Sequence, residues 1–95
     1  MRTEKKKTTP TRECANALLH AAQAFKGMHD ALDKAQEALT KADSYWLMQY
    51  GVQANMHHTQ GRAYVSTARD LGAGEDLLRM AAGGDLRGLE GRLLR

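Results

Sequence analysis

Ninety-five residues, 42% hydrophobic but only 5% aromatic, allow one domain with one modest core, and abundant alanine favours an all-α body. No apolar run is long enough to span a bilayer, and the basic start leads into amphipathic sequence instead of a hydrophobic signal core, so the expected compartment is the cytoplasm. The net charge of +3 is unevenly placed: through residue 12, Arg2, Lys5, Lys6, Lys7 and Arg12 oppose Glu4 alone, whereas residues 13–95 carry nine basic and ten acidic side chains. The Thr/Lys-rich segment 1–9 lacks apolar periodicity and is expected to be a disordered tail, with residues 10–95 forming a single helical domain.

The first predicted helix covers 10–42. Leu18, Phe25, Leu32 and Leu39 form one column, and Cys14, Ala21, Met28, Ala35 and Ala42 a second. Ala17, Ala24, Ala31 and Ala38 widen the stripe. The opposite side carries Lys26, Asp30, Asp33, Lys34, Glu37 and Lys41, with Asp30/Lys34 and Glu37/Lys41 spaced for weak surface pairing. Cys14, alone of its kind, excludes an internal disulfide and belongs to the apolar ladder.

A break at Asp43 and Ser44, either of which can cap a helix, begins a second helix over 44–71. Its ladder is Leu47, Ala54, Gly61 and Ala68, interleaved with Tyr50, His57, Tyr64 and Leu71. One unbroken helix through both ladders would be too long for so small a chain, and a hairpin follows. Folding between residues 44 and 45 opposes positions summing to 89, which sets Met28 against Gly61, Leu39 against Tyr50, and Leu32 against His57. Gly61 is then a packing device, since glycine inside a helix costs about 1 kcal/mol relative to alanine.

Gly72 and Gly74 punctuate before a short helix over 75–82, which has Glu75 and Asp76 at its favourable end. Gly83 and Gly84 stop it, and Asp85 can cap a last helix over 85–94 with Leu86, Leu89 and Leu93 on one side. Gly88 and Gly91 weaken that segment, which should form only when docked. The expected architecture is a long antiparallel hairpin with two short helices across its open side. A helix-turn-helix around Gly83 and Gly84 is the competing arrangement, and its arginines are balanced locally by Asp85 and Glu90.

Catalytic signatures are missing: there is no phosphate-binding glycine loop after a strand, no serine elbow and no paired acids on an apolar wall. The four histidines have no His-x3-His or Cys-x2-Cys spacing to hold zinc, and no metal or cofactor is expected. Surplus apolar surface remains. Met48, Val52 and Met56 make a stripe outside the second ladder, and Tyr45 and Trp46 crown the turn. Aromatic and methionine side chains are favoured at contact surfaces, so these five residues are the candidate partner-binding site, unless the C-terminal helices cover them.

The expected role is therefore that of a non-enzymatic interaction or regulatory module, binding another protein or a second copy of the chain. An accessory protein of a phage or mobile element that blocks a host assembly would suit this description. The alternative partner is nucleic acid, engaged by the basic residues Arg2, Lys5, Lys6, Lys7 and Arg12. The chain also resembles the small secreted helical hairpins of the WXG type in its length and in its mid-chain Trp46. It departs from them at the turn, where Trp46-Leu47-Met48 stands in place of Trp-x-Gly.

Overall fold

The computed structural model describes residues 10–94 and consists there of four helices. They are α1 (Arg12–Thr40), α2 (Ser44–Asp70), α3 (Glu75–Ala82) and α4 (Leu86–Leu93). The long pair packs as an antiparallel hairpin, and α3 and α4 close its open end. The predicted tail, residues 1–9, lies outside the described residues.

Three helix starts and three helix ends have a local chemical reason. The Thr11 hydroxyl accepts from the Cys14 amide at the start of α1, Asp43 accepts from Trp46 at the start of α2, and Asp85 accepts from Gly88 at the start of α4. Three ends share one geometry. The Asp43 amide donates to Ala38, the Ala73 amide to Ala68 and the Asp85 amide to Met80, each bond bridging a residue of positive φ. Gly72 and Gly84 supply that φ at two of the three. At the first it falls to Ala42, with φ 54°, where a Cβ is unfavourable.

Ala42 also explains where the hairpin turns. The chain reverses over Lys41, Ala42 and Asp43, with Asp43 both terminating α1 and capping α2. The fold is thus centred on Ala42 and not between residues 44 and 45, which shifts each pairing by five residues, nearly one and a half helical turns. His20 stacks on Tyr64, Lys34 Nζ stands 5.9 Å from the centre of the Tyr50 ring, and His57 lies over Gly27. These positions sum to 84, not 89. The expected pairs of Met28 with Gly61, Leu39 with Tyr50 and Leu32 with His57 are not formed in that register.

Gly61 is a packing position, as expected, but the residue it admits is Phe25. A Cβ on Gly61 would come within 2.6 Å of the Phe25 ring. The seam is built of small residues: Ala17, Ala24, Ala31 and Ala38 from α1 are buried with Ala54, Gly61 and Ala68 from α2. The leucine column lies to one side of it. At the base, Leu18 and Phe25 of that column are buried, and Leu18 joins Cys14, Leu77, Leu78 and Leu89 in one cluster. Above the base, Leu32 and Leu39 have no short helix over them and are 47% and 61% exposed.

Polar contacts trim this plan. Arg92 donates to Asp76 at 2.7 Å, tying α4 to α3, and this hydrogen bond holds the exposed Asp76 carboxyl below the ordinary carboxylate value. On α1, Glu37 pairs with Lys41 as expected, whereas Asp30 meets Lys26 because Lys34 is drawn to the Tyr50 ring. Gly88, expected only to weaken α4, leaves space for the Asp85 carboxylate that caps it.

Two substitutions test these features. Replacing Ala42 with Gly removes a strained Cβ and should stabilise the protein by roughly 0.5–1 kcal/mol, seen as a higher thermal midpoint of the helical circular-dichroism signal. The same change of Gly to Ala should act with opposite signs at two positions of α2. Gly61→Ala forces the Phe25 ring to move and should destabilise by about 1–3 kcal/mol. Gly51→Ala enters open space and should stabilise by up to about 1 kcal/mol.

Candidate interaction surface

The five predicted contact residues do not share one face. Successive residues turn by about 100° around a helix, so Tyr45, Val52 and Met56 fall on the side of α2 opposite the Ala54–Gly61–Ala68 seam, with Met48 at its flank. Val52 and Met56 are 53% and 57% exposed, and Met48 is 69% exposed. The short helices do not cover this stripe. They pack against α1, with α3 alone also reaching α2 near the base.

Trp46 instead occupies an edge of the hairpin tip. It stacks on Tyr50 with ring centres 5.5 Å apart and meets Tyr45 edge-on at 5.2 Å. Lys34, Glu37, Lys41 and Asp43 surround the Trp46–Tyr50 stack in a shallow polar depression. Because Asp43 fixes the first turn of α2, the cap also sets the direction in which the aromatic tip projects.

Two further features belong to this surface. Leu32 and Leu39 extend the apolar edge of α1 beyond the base, toward the tip. More telling is a composition pattern: residues 44–61, eighteen in succession, contain no Asp, Glu, Lys or Arg. The facing part of α1 carries Lys26, Asp30, Asp33, Lys34, Glu37 and Lys41. A helix that meets water on its outer side ordinarily carries charge there, whereas the centres of protein interfaces are depleted of charge and enriched in Met, Tyr and Trp. This signal was present in the sequence and is clearest in the spacing between charges.

The remaining reactive groups are dispersed. Cys14 is buried, its thiol directed at the Ala68 carbonyl 3.7 Å away, and burial raises its pKa. His20 stacks on Tyr64, His57 covers Gly27, His58 meets the edge of Phe25, and His29 sits by Gly84. Among the described residues no three His, Cys, Asp or Glu side chains are grouped so that they could hold a metal ion. Among the described residues no helix is long and apolar enough to cross a membrane. Of the basic residues proposed to meet nucleic acid, Arg12 opens α1 as an exposed side chain, while Arg2, Lys5, Lys6 and Lys7 lie outside the described residues.

No family model matches the chain, and the comparisons with curated proteins and with solved structures likewise found no match.

Proposed function

We propose that the protein is a non-enzymatic interaction module whose hairpin arm docks on another protein. The observation that carries this reading is the outward side of α2, where Met48, Val52 and Met56 are more than half exposed within a run of eighteen residues that holds no charge. The run includes polar glutamines, asparagine and threonine, yet these three large exposed apolar side chains have no charged neighbour within it and gain nothing from water. They gain by burial against a partner.

In this reading the tip supplies the anchors. Trp46, stacked on Tyr50 and met by Tyr45, offers a preordered aromatic cluster, and desolvated aromatics dominate binding energy in many interfaces. The charged outer side of α1 is the solvated face. A small cytoplasmic accessory protein of a phage or mobile element, blocking a host assembly by occupying one of its surfaces, is the setting that best suits a chain with this much contact surface and no catalytic constellation.

Two double variants separate the surfaces, each checked first for retained helicity. Trp46→Ala with Met56→Ala should weaken capture of a specific partner by roughly thirty-fold for each anchor lost. Asp30→Ala with Asp33→Ala, away from the depression around Trp46, should leave capture nearly unchanged. The opposite pattern would place the docking surface on α1.

A further inference from the structure

We infer that Met48 and Met56 are the sites at which hydrogen peroxide oxidises this chain, and that the two sulfoxides turn the outward stripe of α2 from apolar to polar while the fold stays in place. The consequence, release of a docked partner, rests on the interaction-module reading. The oxidation itself rests on geometry alone.

The sulfur atoms of the described residues divide by environment. Met48 and Met56 are 69% and 57% exposed on the far side of α2 from its seam. Met28 is half-buried on α1. Met80 packs against the core cluster at the base, and its Sδ accepts from Arg92 Nη1 at 3.7 Å, which engages a sulfur lone pair. Cys14, the one thiol of the chain, is buried with its Sγ turned to the Ala68 carbonyl. Among the described residues, accessible sulfur is therefore confined to the surface proposed for docking.

The reaction asks nothing of the protein except that access. A thioether lone pair attacks one oxygen of the peroxide, and the O–O bond breaks as the S–O bond forms. The proton of the transferred oxygen passes to the departing hydroxide, which leaves as water. Sulfur loses two electrons and the peroxide gains them, and methionine sulfoxide reductases reverse the change.

Position gives the oxidation its effect. Met48 and Met56 stand four residues on either side of Val52, about 12 Å apart along the helix, so two sulfoxides bracket the stripe. Each new oxygen is a hydrogen-bond acceptor. Buried against an apolar partner it is left unpaired, which weakens docking by roughly ten-fold for each sulfoxide. The seam with α1 is made by Ala54, Gly61 and Ala68 on the opposite side of the helix, and the short helices lie against α1 at the base, so neither contact is disturbed.

Graded peroxide treatment of the purified chain, resolved methionine by methionine by peptide mass spectrometry, tests the assignment. Met48 and Met56 should each gain one oxygen on the order of ten-fold faster than Met28 and Met80, and the four rates should converge in denaturant. The doubly oxidised protein should keep its helical circular-dichroism signal and elute earlier from a native hydrophobic-interaction column, with reductase treatment restoring the later elution. Met48→Leu with Met56→Leu should elute late before and after the same treatment. Four equal rates in the folded chain would overturn the proposal. So would faster oxidation of Met28 or Met80, loss of helicity when only the stripe is oxidised, or an unchanged elution. A partner still captured by the doubly oxidised chain, yet lost on Trp46→Ala with Met56→Ala, would overturn the switch and leave the interaction-module reading standing. Capture indifferent to both treatments would overturn the two together.

Discussion

Alanine and glycine at the contact between α1 and α2 set the terms for the whole molecule. Because the seam is filled by Ala24, Ala31, Ala38, Ala54 and Gly61, the two backbones can approach closely, and a single large side chain, Phe25, needs the absence of a Cβ at Gly61 to fit. A buried methyl contributes only about 0.8 kcal/mol, against roughly 1.5–3 kcal/mol for a buried leucine. The hairpin arm is therefore stabilised weakly per residue, and the larger burial is concentrated at the base. There α3 and α4 bring Leu77, Leu78 and Leu89 against Leu18 and Cys14.

A seam of small residues also determines what is left outside. Leu32 and Leu39 stand to one side of it, and Met48, Val52 and Met56 on the far side of α2, so the bulky apolar groups of the arm remain exposed. The base is a finished core. The arm is a surface, and the account of function given above follows from that division of the chain into a part that is closed and a part that is not.

Much of this was legible in the residues. The ladders, the capping residues Asp43 and Asp85 and the glycine stops gave four helices close to their observed limits, because periodicity and caps are local signals. The register was not, because it depends on which residue turns the chain, and Ala42 is not a residue that announces a positive φ. The central column was also misjudged. The alanine column, expected only to widen the stripe, is the centre of the contact: close packing of two helices selects for small size, and the leucines are buried only where a third element reaches them. The candidate contact residues were legible as surplus, but not their division between the outward stripe and the Trp46 edge, which required the direction of α1 to be known.

The contact between Phe25 and Gly61 is the point at which seam, register and exposed surface all meet. A nuclear Overhauser spectrum of the labelled protein reads it directly. The account predicts strong cross-peaks from the Phe25 ring protons to the Gly61 α-protons, together with a ring-current shift of the latter. Cross-peaks from Gly61 to the Met28 methyl group in their place, with none to Phe25, would contradict the seam and the surface derived from it.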